Sequence, residues 1–179
     1  ESIQNPLQSP RLAEVASRGK RVAVSLEADL PSGYIEFAAR KVIEELLQAQ
    51  VFPEDVSVIA SPGTGGAVRS NLWEQLKPLE RLGTRMRCHT WTGEDSKELC
   101  RTSSGIPVLL DREFAEADVR IVIGEVKPDL LAGYTGGYSV VFPGLSSSES
   151  IGSSLRRLSE ARDKVLVLDA NPLYQDSKE

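Results

Sequence analysis

A strand–helix–strand unit in the first third of the chain constrains the fold more than any other feature. Between residues 34 and 50, apolar side chains recur at i, i+3 and i+4, the spacing of a helix with one buried face. A short β-branched run at residues 20–26 precedes this helix, and a similar run at 55–60 follows it. Because the connections are short, we predict two parallel strands joined by a right-handed crossover.

The same alternation continues to the end of the chain. Further strands are predicted at residues 84–90, 106–110, 119–126 and 164–168, and further helical segments at 72–82, 112–117 and 147–162. Ser32 and the run Ser146, Ser147, Ser148 precede two of the helices as candidate N-caps. The pattern predicts a Rossmann-like α/β fold, a mostly parallel sheet with helices on both faces. Its inner strands are expected to include 22–26, 56–60 and 120–123.

The domain organisation expected from this pattern is simple. Residues 1–19 form a polar lead-in with a helical turn or two at 11–17, and residues 20–176 form one α/β domain. No apolar run approaches the ~20 residues of a membrane-spanning helix, and the first ten residues do not read as a signal peptide. The net charge of −5 argues against a broad nucleic-acid footprint. We therefore expect no membrane or nucleic-acid partner.

The counts of histidine and cysteine limit the possible chemistry. His89 is the single histidine, which excludes a metal centre built from protein imidazoles alone and a two-histidine acid/base pair. The two cysteines, Cys88 and Cys100, are too few for a disulfide scaffold or a zinc site, so a reduced, cytoplasmic setting is expected. No metal site is predicted from these residues.

Two glycine-rich loops follow predicted strands and are the candidate binding elements. The residues assigned to binding are Gly63, Thr64, Gly65 and Gly66 in the first loop, and Gly133, Thr135, Gly136 and Gly137 in the second. Glycine lets several backbone N–H groups turn toward one anion, and ligands bind beyond the carboxyl ends of parallel strands. Neither loop matches a P-loop or GxGxxG, so tight turns are the alternative. With His89 and Asp129, both loops are predicted to open onto one cleft that holds a small anion or nucleotide.

A series of motifs from Thr102 to Gly144 resembles the N-terminal domain of the nickel-dependent lactate racemase family. The motifs are TSSGIPV at 102–108, AEAD at 115–118, GxVKPDxxAGYTGG at 124–137 and FPG at 142–144, with ANPLxxD at 170–176 similar to the segment that closes this region. The resemblance implies a racemase fold in which a tethered nickel-pincer nucleotide accepts a hydride from a 2-hydroxy acid. It also implies two acid/base histidines, a tethering lysine and a nickel-ligating histidine.

Carried over position by position, the resemblance keeps the scaffold motifs but loses most of these residues. One acid/base histidine corresponds to His89, and the other position holds Asp129. The tethering lysine corresponds to Ser139 and the nickel-ligating histidine to Leu155. Only an amine can form the covalent link, and imidazole is a good nickel ligand. We therefore predict a divergent member with no nickel and no covalent cofactor.

Two further departures lie in the loops. The family's Thr-Arg-Pro turn appears here as residues 29–31, without the arginine, and its His-Arg pair is replaced near Gly65 and Gly66. Glu27 and Asp29, beside the first of these turns, are candidates to bind a cation or repel an anion, or simply surface residues.

Three hypotheses about function remain open at the level of the sequence. The first is a non-racemase homologue whose cleft binds a small anion or nucleotide. The second is an isomerase of a 2-hydroxy acid that uses His89 and Asp129 as its acid/base pair. The third is a domain that supports a partner, either another copy of the chain or the C-terminal domain that family members carry and that is absent from this chain.

Overall fold

A computed structural model of the chain describes residues 3–30, 33–63, 72–161, 164 and 167–179. The strands in this part of the chain are β1 (Val22–Glu27), β2 (Val56–Ser61), β3 (Arg85–Cys88), β4 (Ser96–Arg101), β5 (Pro107–Asp111), β6 (Val119–Ile123), β7 (Pro128–Asp129) and β8 (Gly133–Tyr134). The α-helices are α1 (Leu12–Val15), α2 (Tyr34–Gln48), α3 (Leu72–Glu80), α4 (Arg112–Glu116), α5 (Tyr138–Val141), α6 (Ser148–Glu160) and α7 (Pro172–Lys178). Short 3-10 helices span Pro53–Asp55 and Leu168–Ala170.

The main sheet has four parallel strands in the order β3-β2-β1-β6. In its register Val24 lies opposite Val58 on one side and Ile121 on the other. The predicted parallel α/β fold is therefore confirmed. One detail of the prediction was wrong, because β6 lies at the edge of this sheet as far as the structure describes it. Its side chains are only half-buried and that of Arg120 is exposed, as suits an edge strand.

Side chains alternate between the two faces of the sheet along each strand, and both faces are covered. Val22, Val24 and Leu26 of β1 pack in one core with α2 and α3. On the other face, Ala23 lies in a second core with Phe114 of α4. Burying each large aliphatic side chain contributes about 1.5–3 kcal/mol, so the first core supplies most of the stabilisation.

A two-stranded antiparallel sheet, β4–β5, stands apart from the parallel sheet. The strand predicted at residues 106–110 corresponds to β5, but its partner β4 was not predicted. All but the first residue of β4 are exposed, so no buried face marks it in the sequence. The same hairpin leads directly into α4, where the Asp111 side chain accepts a hydrogen bond from the Phe114 N–H.

The end of the chain differs from the prediction of a final strand at residues 164–168. Lys164 and Leu168 lie in 3-10 turns, Val167 is irregular, and residues 165 and 166 lie outside the described part. Leu168 begins a 3-10 helix that leads into α7, which the Asn171 side chain caps by accepting from the N–H of Leu173 at 2.9 Å.

The two N-cap predictions have different outcomes. Ser147 caps α6 by accepting from the Ser150 N–H, which confirms the prediction for the serine run. Ser32 lies outside the described residues.

No helix in the described ranges is both long and apolar enough to cross a membrane.

Candidate functional site

A cavity of about 330 Å³ lies beyond the carboxyl ends of β1, β2 and β6. Its lining comes from loops that follow these strands, as expected for an open parallel sheet. Three of the residues predicted from the sequence line it together, namely Gly63, Asp129 and Thr135. The loop residues Thr64, Gly65 and Gly66 lie outside the described part of the chain.

The charged groups of this cavity centre on Lys127. Its ammonium group lies 2.8 Å from an Asp29 carboxylate oxygen and 3.3 Å from one of Glu27. Glu27 also accepts a hydrogen bond from the Glu125 N–H at 2.9 Å. With Asp129, the described lining holds three carboxylates and one amine that is already paired.

The environment shifts the two carboxyl groups beside Lys127 in opposite directions. Burial raises the pKa of Glu27, and it outweighs the hydrogen bond from the Glu125 amide. Burial also opposes ionisation of Asp29, but hydrogen bonding to Lys127 holds the pKa of Asp29 below its ordinary value. The hydrogen bond to Asp29 in turn raises the pKa of Lys127. Glu27 is therefore the carboxyl group of this pair that takes up a proton first.

Asp129 closes the turn between β7 and β8. Its Oδ1 accepts hydrogen bonds from the N–H groups of Leu131 at 2.8 Å and Ala132 at 2.7 Å. This is ordinary side-chain-to-backbone turn chemistry for aspartate. The carboxylate nevertheless lies on the cavity.

His89 is placed differently from the expectation of a shared cleft. Its side chain is buried, with 3% exposure, and it does not line the cavity. Nδ1 lies 2.9 Å from Oδ2 of Asp111, and Nε2 lies 3.0 Å from the carbonyl oxygen of Ser146. Both ring nitrogens are therefore occupied by oxygen atoms of the protein. An imidazole held in this way cannot exchange a proton with a substrate without breaking one of these bonds.

Asp111 is held ionised although it is fully buried. Burial opposes its charge, but hydrogen bonds from His89 and Arg87 keep the pKa of Asp111 below its ordinary value. Arg87 bonds to the other carboxylate oxygen and, at 2.7 Å, to Glu113. The network joins β3 to the β5–α4 junction, so its described contacts are those of a structural link.

The second glycine loop is shaped by close packing of the backbone. Gly136 has φ of +87°, and a Cβ atom there would lie 2.6 Å from the carbonyl oxygen of Glu125. The Thr135 N–H already donates to the carbonyl of Lys127 at 2.9 Å. Gly133 and Gly137 open onto neighbouring cavities rather than this one. Close packing at Gly136 and the hydrogen bond from Thr135 therefore account for the positions of these two predicted donors.

The positions that correspond to the family's tether and nickel ligand do not fit that cofactor. Ser139 Oγ donates to the carbonyl of Gly136 at 3.2 Å and offers no amine. Leu155 packs against the apolar cluster of Ala132, Leu158 and Leu173. Among the described residues, no group of three or more His, Cys, Asp or Glu side chains could hold a metal ion.

Two residues of these charged clusters, Lys127 and Asp111, were missed by reasoning from the sequence. Lys127 was read only as part of a motif, although a lone lysine after β6 faces acidic residues that follow the neighbouring strand. Asp111 was not singled out at all, and nothing local marks it, because its partners Arg87 and His89 lie more than twenty positions earlier.

The parallel sheet and its polar cavity define an α/β domain of the Rossmann-like class. The family model for the lactate racemase N-terminal domain matches residues 1–164, and the chain belongs to that family. The solved lactate racemase apoprotein from Thermoanaerobacterium thermosaccharolyticum is similar in fold, with a TM-score of 0.80 at 19% identity. That match covers 99% of this chain but only 43% of the other, so this chain spans less than half its length. No curated protein matches the chain by sequence.

Proposed function

We propose that this chain is a ligand-binding domain of a lactate racemase homologue without nickel-pincer racemase activity. The observation that carries the proposal is the identity of two residues, one that lines the cavity and one that packs against residues of its lining. Ser139 at the tether position lines the cavity without an amine, and Leu155 at the nickel-ligand position is part of an apolar cluster. A domain with this lining can bind a ligand but cannot tether the cofactor.

Intact mass spectrometry tests the missing tether. The chain is expressed in cells that make the cofactor, beside a family racemase with its lysine as the positive control. We expect the mass of the unmodified polypeptide for this chain and an added nucleotide mass for the control. The matched variant Ser139→Lys asks whether the amine alone is lacking. An adduct on the unsubstituted chain would refute the proposal.

The charge of the cavity bears on the kind of ligand. A small anion or nucleotide was expected from the glycine loops, but the described lining offers it one paired lysine against three carboxylates. Carboxylate and hydroxyl oxygens accept hydrogen bonds from ligand hydroxyls, and Ser61, Thr135 and Ser139 lie on the same cavity. The proposed ligand is therefore a small neutral molecule with several hydroxyl groups, such as a nucleoside.

Calorimetric titration separates these ligand classes. We expect a nucleoside to bind more tightly than the corresponding nucleotide or inorganic phosphate. Asp129→Asn should narrow that difference, because it removes one negative charge from the cavity. Tighter binding of the nucleotide would restore the anion hypothesis. The absence of binding by all three probes would leave the domain without the proposed ligand function.

The isomerase hypothesis gains no support from the site. The two residues it needs, His89 and Asp129, are each held by contacts within the protein, and only Asp129 lies on the cavity.

A partner-supporting role is favoured by a separate observation, an exposed apolar surface beside the cavity. Val126, Leu130, Tyr134 and Tyr138 are each about half or more exposed, and Leu130 reaches 83%. Exposed apolar patches of this kind mark interaction sites. Because the solved relative is more than twice as long, the proposed occupant is a second domain of the kind that makes up its remainder.

A dye that fluoresces on apolar surfaces tests the accessibility of this patch in the chain alone. The double variant Val126→Asn, Leu130→Asn should lose most of the signal, whereas Phe37→Asn, an exposed position on α2, is the control. An unchanged signal in the double variant would contradict the proposal.

A further inference from the structure

A second cavity, of about 470 Å³, lies at the opposite edge of the sheet from the candidate site. It is formed at the amino ends of β1, β2 and β3, on the face that α4 covers. Its floor is open because the residues there are small: Ala23 of β1 lies directly opposite Ser57 of β2 in the register. This cavity is independent of the proposed function.

A hydroxyl group at this floor is available to a ligand. Ser57 is 2% exposed, lines the cavity, and makes no side-chain hydrogen bond to any residue that the structure describes. A ligand can therefore hydrogen-bond to Ser57 without displacing another described residue.

Arginine side chains at the mouth have donors to spare. Arg85, next to Ser57 in the register, is 62% exposed, and its guanidinium lies 2.8 Å from an oxygen of Glu113 without an aligned hydrogen bond. Arg21 donates one N–H to the carbonyl of Glu116 at 2.6 Å, and its Nε lies 3.8 Å from an oxygen of Asp118. A guanidinium has five N–H donors in a planar fork that matches a carboxylate. Most of these donors are unused by the described part of the protein.

Two carboxylates at the same cavity have no cationic partner. Asp55 and Asp95 line it and form no ion pair within the described residues. By contrast, Glu113 is paired with Arg87 and Glu116 with Lys97. The lining as a whole carries four arginines and four acids, listed in full as Arg21, Arg85, Arg87 and Arg112 with Asp55, Asp95, Glu113 and Glu116. A ligand with one charge of each sign matches this balance.

We propose that this cavity binds a small zwitterion of the α-amino acid class. The ligand carboxylate lies against the unused guanidinium donors of Arg85 and Arg21. The ligand ammonium faces the unpaired carboxylates, and the Ser57 hydroxyl bonds to the ligand at the floor.

Calorimetry with L-alanine and its two fragments, propionate and ethylamine, tests the need for both charges. The other standard amino acids are titrated in the same way, because the side-chain preference is open. We expect at least one amino acid to bind saturably and about tenfold or more tighter than either fragment, since each fragment lacks one charged contact. No binding by any amino acid at millimolar concentration, or equal binding of propionate, would overturn the proposal.

Variants assign the binding to this cavity. Arg85→Gln should weaken the amino acid about tenfold or more, through loss of charge-assisted hydrogen bonds. Arg101→Gln, an arginine of β4 that is 60% exposed and lies outside the cavity, is the matched control and should bind normally. Ser57→Ala keeps the small floor and should also weaken binding. Unchanged affinity in both Arg85→Gln and Ser57→Ala would refute the assignment.

Discussion

Two clusters of charged residues in this domain are similar in composition but differ in whether they border a cavity. The cluster of Arg87, His89 and Asp111 is closed, because every His89 nitrogen and both Asp111 oxygens bond within the protein. The cluster of Glu27, Asp29 and Lys127 borders a cavity, and its side chains remain partly exposed. The comparison shows that residue type alone does not mark a site. The aspartate that binds the only histidine stabilises the fold, and the lysine that was taken for scaffold lies at the candidate site.

The largest expected difference between the clusters is in stability. Asp111→Asn removes a buried charge that pairs with Arg87 and His89, and breaking a buried ion pair costs about 3–5 kcal/mol. Asp129→Asn, at the cavity, keeps an oxygen that can accept the turn hydrogen bonds and should cost about 1 kcal/mol or less. Urea denaturation measures both free energies of unfolding. Equal effects would break the distinction between a structural and a cavity aspartate.

A smaller effect separates two glycines of the loop beside the cavity. Gly136→Ala brings a Cβ to 2.6 Å from the Glu125 carbonyl oxygen at a φ of +87°, and should cost about 2–3 kcal/mol. Gly137→Ala meets no atom within 4 Å, so only its backbone conformation, φ of +55° with ψ of −116°, opposes the substitution, which should cost about 1–2 kcal/mol. Thermal unfolding of the two variants measures the difference in stability. If the two substitutions cost the same, close backbone packing is not what fixes this loop.

The pH dependence of stability should have opposite signs at Asp111 and at Glu27. The lowered pKa of Asp111 contributes stability that is present above its ordinary value of 3.8 and is lost as pH falls further. The raised pKa of Glu27 does the reverse, because the folded state then holds a proton more tightly, and stability declines as pH rises above 4.5. Glu27→Gln should remove that decline and leave the acid limb in place, as urea unfolding from pH about 3 to about 7 would show. If Glu27→Gln also abolished the loss of stability at low pH, the assignment of that loss to Asp111 would be contradicted.

The smallest effect is expected at Lys127. Lys127→Gln removes two partly exposed ion pairs, so it should cost about 1 kcal/mol or less. The Asp29 carboxyl loses the hydrogen bond that lowers its pKa, so that pKa should rise. An NMR pH titration of the side-chain carboxyl carbons measures the shift, with Asp118, which is paired with Arg21 elsewhere, as internal control. If the pKa of Asp29 were the same in the variant, Lys127 would not be the group that sets the charge state of this cavity.

The sequence predicted the parallel sheet well because its strands are apolar and its longest helix has one buried face. It missed β4, whose exposed residues carry no periodic signal, and it placed a strand at 164–168 where the described residues form 3-10 turns. The outcome for the site follows the same logic. Loop residues after β1, β2 and β6 could be expected at one edge because topology puts them there. The burial of His89 could not be expected, because it depends on Asp111 and Ser146, which reach it through the β4–β5 hairpin and the loop before α6.

We propose that this member of the family has the scaffold of the family without its nickel chemistry. Nickel content tests it most directly, measured by elemental analysis on the chain purified from cells that make the cofactor, beside a family racemase treated identically. We expect the racemase to carry nickel in a fixed molar ratio and this chain to carry none above background. Stoichiometric nickel in this chain would contradict the claim, since neither Ser139 nor Leu155 could account for it.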